Sequence, residues 1–306
     1  MQYHPLSPQL RQRLGDAGLV AGDVEDLVLR ALREDLGDGV DVTSRACIAS
    51  SQRSVGIFVA RRSGVVAGID VVAAVVDVVC GAVNSRFEVM ERDGGAVESG
   101  SVIARVEAST RELLAAERCA LNLLCHLSGI ATTTAIWVAE VSSTGAVIRD
   151  TRKTTPGLRA LEKYAVRCGG GENHRMSLSD GVLIKDNHIV AAGGVAEAYS
   201  LVRQHVRDQP IEIEVDSLEQ LRIAMASGAD VVLLDNMSPD LLKEAVRIGR
   251  QYEAATGGSI LFEASGGLTL STVRAVAESG VNFIAVGALT HSSQVLDIGL
   301  DFQILE

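Results

Sequence analysis

From residue 145 onward the chain repeats a simple alternation. AVIRD, GVLIKD, IEIEV, VVLLD, ILFEAS and FIAVGA are short apolar runs that read as strands. LRALEKYAVR, VAEAYSLVRQHV, SLEQLRIAMAS, SPDLLKEAVRIG and LTLSTVRAVAES lie between them, with apolar residues at helical spacing. The helix ends carry matching signals. Ser217 with Gln220 forms a capping box, Ser238 precedes a proline at the first helical position, and Gly228 and Gly280 follow helix ends. Strands alternating with helices predict parallel βα units, and the regular spacing suggests a barrel. A doubly wound open sheet is the alternative. Against it, no G-x-G-x-x-G follows the first strand, and no phosphate-loop motif G-x-x-x-x-G-K-[ST] occurs.

The first half has a different texture. LVLRALREDL is helical, and GDG at 37–39 ends it. VGIFVA, GVVAG, NSRFEVME and SVIARVE read as strands around one helix, IDVVAAVVDVVC. A long helical segment, TRELLAAERCALNLLCHLSGIATTTAIWVAEV, follows with no linker, so both domains share it. The expected division is an α+β domain over 1–115 and a barrel over 116–288.

Composition narrows the class. The 306 residues are 47% hydrophobic with 30 glycines, which fits a well-buried α/β protein. Aromatics are 3%, so Val, Leu, Ile and Ala must fill the core. A net charge of −11 and a pI near 5.1 argue against nucleic acid or an anionic membrane as partner. Five cysteines without a C-x-x-C predict neither a disulfide framework nor a zinc site, and a reducing cytoplasm. The N-terminus shows no apolar leader. VVAAVVDVV is too short to span a bilayer and contains Asp77.

Charge then picks out one stretch. Residues 150–189 hold three of the four lysines and a local excess of positive charge in an acidic chain, which suggests an anion site. Within LRALEKYAVR, Arg159 and Lys163 are expected to face water. Arg152, Lys153, Arg175 and Lys185 instead sit at loops or strand ends. Polar groups recur at every strand end: Arg152 and Lys153, then Lys185, Asp186 and Asn187, then Glu214, then Asp235 and Asn236, then Glu263 with Ser265-Gly266-Gly267, then Gly287. In a parallel barrel these ends share the face that carries the active site. Glu214 and Asp235 opposite the cations are suited to a divalent metal and a polyanionic substrate. Ser265, Gly266, Gly267 and Gly287, from the last two strands, are suited to phosphate. His174, between three glycines and Arg175, is read as an anion contact.

These motifs resemble those of the quinolinate phosphoribosyltransferase family. The resemblance rests on DTRKTTPGLRALEKYAVRCGGGENHR, LIKDNH, EVDSLEQ, LLDN, EASGGL and AVGALTH, with EDLGDGVDVTS, ERCALNLL and LSGIATTT upstream. It implies an N-terminal α/β sandwich and an incomplete α/β barrel; a C-terminal tail at about 289–306 is expected to pack on the sandwich. It implies phosphoribosyl transfer from phosphoribosyl pyrophosphate to the ring nitrogen of quinolinate with decarboxylation, and Mg2+ as cofactor. It also implies a homodimer. By position, Arg152, His174, Arg175 and Lys185 would hold quinolinate, and Lys153 would lie between quinolinate and the phosphates. Glu214 and Asp235 would bind ribose hydroxyls and the metal. Ser265, Gly266, Gly267 and Gly287 would hold the 5′-phosphate. Arg118 would reach the quinolinate site of the neighbouring subunit. Three other readings stay open: a barrel lyase forming a Schiff base at Lys185, a phosphoribosyltransferase for another base, and a non-catalytic ligand-binding barrel.

Overall fold

The computed structural model describes residues 3–37, 39–207 and 209–305. In chain order the first half comprises helices α1 (Pro8–Asp16), α2 (Ala21–Leu36) and α3 (Val42–Cys47), then strands β1 (Arg53–Ala60) and β2 (Gly64–Val65). Helix α4 (Ile69–Cys80), strands β3 (Arg86–Val89), β4 (Ala96–Val97) and β5 (Val102–Ser109), and helix α5 (Thr110–Val141) follow. The second half runs β6 (Val147–Arg149), α6 (Arg159–Cys168), β7 (Val182–Ile184), α7 (Asp186–Ala192) and α8 (Val195–His205). It continues β8 (Ile211–Val215), α9 (Leu218–Ala226), β9 (Val231–Asp235), α10 (Pro239–Thr256), β10 (Leu261–Ser265) and α11 (Leu270–Ala277). It ends with β11 (Phe283–Ala285), α12 (Ala288–His291) and β12 (Ile298–Ile304).

The chain forms two compact units. The first comprises Met1–Thr133, Ala160–Gly170 and Ser292–Glu306; the second comprises Thr134–Arg159 and Gly171–His291. A boundary at 115/116 therefore differs from the structure. It falls inside α5, a continuous helix in which no residue breaks the backbone ladder. The first unit also includes α6, whose inclusion nothing in local pattern signals.

In the first unit an antiparallel sheet has the order β12-β1-β5-β3. Helix α4 belongs to this core: every residue from Ile69 to Cys80 except Asp70 is buried. Its buried Asp77 accepts hydrogen bonds from the N–H and hydroxyl of Ser7 at 2.9 and 2.8 Å, which gives the carboxylate the partners burial demands. The helix starts after Gly68, whose φ of 103° is open only to glycine at low cost. Leu127 on α5 packs against the space a Cβ there would need, at 2.8 Å. Of the described helices, α5 is the one long and apolar enough to cross a membrane by length and composition. Most of its apolar window is buried within the protein, as in a core helix.

The second unit carries a six-stranded parallel sheet in the order β6-β11-β10-β9-β8-β7. A parallel bridge from Arg149 to Glu172 extends it beyond β6, and no pairing joins β6 to β7 among the described residues. This is an incomplete parallel α/β barrel. Ser217 Oγ accepts the Gln220 N–H at 3.4 Å, but the Gln220 side chain turns to the Asp216 N–H at 3.1 Å, so only half of the capping box forms. Ser238 caps α10 ahead of Pro239, and Gly228 and Gly280 have φ of 90° and 92°. Helix α2 ends at Leu36 with Gly37 as its cap; Asp38 of GDG lies outside the described residues.

One expectation about α6 is overturned. Lys163 is fully buried, as is Glu162, which pairs with His126 Nε2 at 2.9 Å. Arg159 is half-buried, and its guanidinium donates to Thr154 Oγ1 at 2.9 Å and to the carbonyl of Met176 at 3.1 Å. A helix read alone shows its apolar stripe but not that its polar face is also covered.

Candidate active site

A cavity of about 780 Å³ opens at the C-terminal ends of β6 to β11. This volume suits a small-molecule site. Its wall receives Arg152 and Lys153 after β6, His174 and Arg175 before β7, and Lys185 after β7. Glu214 and Asp235 enter from β8 and β9, and Ser265, Gly266, Gly267 and Gly287 from the ends of β10 and β11. Eleven of the twelve residues singled out by sequence thus line one space. Arg118 does not line it; it is exposed on α5.

The cationic wall is built by local hydrogen bonds. Asp150 Oδ1 accepts the His174 N–H at 2.9 Å, and Asp150 Oδ2 accepts from Asn173 at 2.6 Å. Arg175 donates its guanidinium to the carbonyl of Gly181 at 2.8 Å. Burial, and next the positive charge of Arg152, lower the pKa of Arg175. Two guanidiniums held this close favour an anion. Arg152 Nε is buried without a hydrogen-bond partner, a donor left for a ligand.

His174 stands above a buried pair of carboxylates. Its Nε2 is 2.8 Å from Glu212 and 3.5 Å from Glu263, while its Nδ1 accepts the Arg175 N–H at 2.7 Å. Burial alone would lower the ring's pKa; the bond to Glu212 and the charges of Glu263 and Glu212 outweigh it, and the pKa rises. The bonding pattern is that of a ring protonated at Nε2, and a second proton at Nδ1 breaks the Arg175 bond. Glu263 is fully buried in β10 rather than lying at the strand end where it was expected. Burial, and next the charge of Glu212, push its carboxyl above the usual range. Arg149 compensates, with NH1 3.3 Å from Glu263 and its guanidinium 3.2 Å over the Phe283 ring.

On the acidic wall, Lys185 Nζ donates to Glu214 at 2.5 Å. The His188 ring accepts the Lys185 N–H at 2.9 Å and shapes the turn into α7. Burial, and next the charge of Glu214, raise the pKa of Asp235. Lys153 reaches the end of β11: a Cβ on Gly287 would lie 2.9 Å from its Cδ. Thr290 Oγ1 donates to the Lys153 carbonyl at 2.8 Å and fixes that loop.

Sequence reasoning passed over Glu212 and Arg149. A signal for Glu212 was present, since IEIEV at strand period puts residues 212 and 214 on the same side.

Comparison with known proteins gives the site its context. Residues 130–301 match the quinolinate phosphoribosyl transferase C-terminal domain, and residues 41–128 match the N-terminal domain. The chain belongs to the quinolinate phosphoribosyltransferase family. It is 49% identical over 276 residues to the nicotinate-nucleotide pyrophosphorylase [carboxylating] of Mycobacterium leprae, covering 90% of this chain and 96% of that protein. It is 44% identical over 269 residues to the probable nicotinate-nucleotide pyrophosphorylase [carboxylating] of Bacillus subtilis, covering 88% and 89%. Among solved structures it resembles the nicotinate-nucleotide pyrophosphorylase of Ehrlichia chaffeensis, with a TM-score of 0.85 and 38% identity over 91% of this chain and 98% of that one. Membership in the quinolinate phosphoribosyltransferase family removes the reading of Lys185 as a Schiff-base lysine in a lyase.

Proposed function

We propose that this cavity is where the family's reaction takes place, with the division of labour given below. The reaction is transfer of the phosphoribosyl group of phosphoribosyl pyrophosphate to the ring nitrogen of quinolinate, with loss of CO2, giving nicotinate mononucleotide for NAD biosynthesis. One observation supports the assignment most. Arg152 and Arg175, with an unpartnered buried Arg152 Nε, share a cavity with the carboxylates of Glu214 and Asp235 and a glycine turn.

In this reading Arg152 and Arg175 grip the two adjacent carboxylates of quinolinate, as guanidinium forks do. Lys185 adds charge, and His174, tied to Glu212 and to the Arg175 N–H, fixes the orientation of that wall. The backbone of Ser265, Gly266, Gly267 and Gly287 receives the 5′-phosphate. The ring nitrogen attacks the anomeric carbon as the bond to pyrophosphate breaks. Positive charge develops on the sugar, and Glu214 and Asp235 stabilise it. Lys153 neutralises charge gathering on the leaving group. The alkylated ring is a pyridinium; the electron pair of the breaking carbon–carboxylate bond stays on the ring beside the positive nitrogen, and a proton replaces CO2. No side-chain nucleophile is required.

The donor set also fits Mg2+. Glu214 and Asp235 are two carboxylates facing one space; burial and the charge of Glu214 oppose ionisation of Asp235, and a divalent cation relieves that. These two residues would hold it, and the metal would supply further neutralisation of the pyrophosphate. The direct test is to combine the protein with Mg2+, quinolinate and phosphoribosyl pyrophosphate. The expected result is equimolar CO2 and nicotinate mononucleotide; a product that keeps both carboxylates overturns the reading.

Substrate choice follows from the charge of the wall. Nicotinate leaves one guanidinium unpaired, so kcat/KM should favour quinolinate by about three orders of magnitude or more. Comparable turnover of the two acids counts against the roles of Arg152 and Arg175.

The same reading includes a homodimer in which Arg118 serves the partner's site, and cytoplasmic residence. Helix α7, beside the cavity, has no buried residue; Val190 and, before β7, Leu178 are 80% and 70% exposed, which supports coverage by a second chain. Arg118→Ala and Glu214→Ala, each inactive alone, should complement when unfolded and refolded together. Half of randomly paired dimers are mixed and each has one intact site, so roughly a quarter of wild-type activity returns. Mixed dimers confirmed by mass but without activity exclude a shared site.

A further inference from the structure

Asn236 follows the carboxylate at the end of β9, lines the cavity, and has a φ of 54°. It is the one non-glycine residue with positive φ among the described residues. Asparagine tolerates that region better than most residues, yet the conformation persists only where surroundings hold it. Here they do so from two sides. The Asn236 N–H donates to the Ser265 carbonyl at 2.9 Å, and its side-chain Nδ2 donates to Asp235 Oδ2 at 2.6 Å. The other amide atom, Oδ1, lies against the glycine turn: a Cβ on Gly266 would sit 2.3 Å from it. Gly266 itself has a φ of 90°. Asp235 and Ser265 are register partners in the parallel pair β9–β10, so one residue placed after Asp235 reaches both strand ends.

We propose that Asn236 is a positioning residue for the phosphoribosyl half of the site. Its side-chain amide holds the Asp235 carboxylate and packs against Gly266 while its backbone N–H holds Ser265, and so it sets the spacing between the group that receives the ribose and the backbone that receives the 5′-phosphate. This inference rests on the functional reading above. Chemically, the amide occupies one oxygen of Asp235 and leaves Oδ1 for the ligand. Gly266 is glycine for a second reason besides its φ: the Asn236 amide fills the space a side chain would need. The quinolinate wall, built from Arg152 and Arg175, makes no use of this contact.

Two variants separate the tie from backbone strain. Asn236→Gly accepts the positive φ at no cost but removes the amide. Asn236→Asp keeps the shape and replaces the donor with an anion beside Asp235. Phosphoribosyl pyrophosphate with Mg2+, and quinolinate separately, are titrated calorimetrically into wild type and both variants, and KM is measured for each substrate. Both variants should weaken phosphoribosyl pyrophosphate about tenfold or more, the size expected for a lost hydrogen bond to a charged group. Quinolinate affinity should stay within about twofold, with melting temperatures close to wild type. Gly266→Ala should give the same split, because its Cβ displaces the amide. Unchanged phosphoribosyl pyrophosphate affinity in Asn236→Gly overturns the proposal, as does equal weakening of both ligands. Wild-type protein that binds phosphoribosyl pyrophosphate but releases no CO2 sinks the functional reading instead, and Asn236 is then judged on the binding constants alone.

Discussion

Glu214→Ala should lower kcat/KM by at least about two orders of magnitude, the loss of a transition-state contact worth ~3 kcal/mol, and Asp235→Ala should do the same. Both carboxylates reach the cavity from adjacent parallel strands, where the proposed reaction puts the cationic sugar. Neither substitution should unfold the protein. The Glu214–Lys185 pair is half exposed on the lysine side, and such pairs contribute little to stability. Steady-state kinetics with a circular-dichroism melt decides the matter. Variants that keep wild-type kcat/KM, or that lose activity only by unfolding, remove these residues from the chemistry. Activity undiminished in chelator without Mg2+ removes the metal from the proposed mechanism.

Glu263→Ala should have its largest effect on stability, lowering it by about 3–5 kcal/mol. The carboxylate is fully buried between Arg149 and His174, and its removal leaves the half-buried Arg149 with the Phe283 ring and a longer contact to Glu172 at 3.6 Å. Glu263→Gln keeps the shape and should cost less. The pH dependence has a definite sign. The folded state raises the pKa of Glu263, through burial and then Glu212, against the pull of His174 and Arg149. A group raised in this way stabilises the fold fully below its unfolded pKa and loses that contribution as pH rises through the folded value. Relative to Glu263→Gln, the wild type should therefore be most stable in acid and lose that advantage towards neutrality. Denaturant midpoints across pH measure it; an advantage that grows with pH contradicts the buried-carboxylate account.

How much of this could be read from the sequence depends on what each residue reports. The strands VVLLD and IEIEV declare themselves because six short apolar runs repeat between helices, and Glu214 and Asp235 stand out as charges at their ends. The interior cluster was less legible. Glu212 and Glu263 look like ordinary strand polarity until β8 and β10, on either side of β9, bring them within reach of one histidine. Lys163 was misplaced for a related reason: helical periodicity describes one face, and what covers the opposite face comes from distant chain segments. Strand β12 is weakly patterned, since its role is defined by antiparallel pairing with β1 across most of the chain. Asn236 is ordinary in composition, and only its backbone conformation reveals it.

That β12–β1 pairing also constrains how the protein is made. Strand β1, at residues 53–60, leaves the ribosome early and can pair on one side with β5 soon afterwards. Its other edge waits for residues 298–304, about 240 positions later, or roughly 12–50 s at 5–20 residues per second. During that interval the apolar strand RSVGIFVA offers an open row of backbone donors and acceptors to any other nascent chain. The first unit to emerge is thus the last to be finished, and the delay before its final strand arrives is the period in which chaperone supply should govern yield.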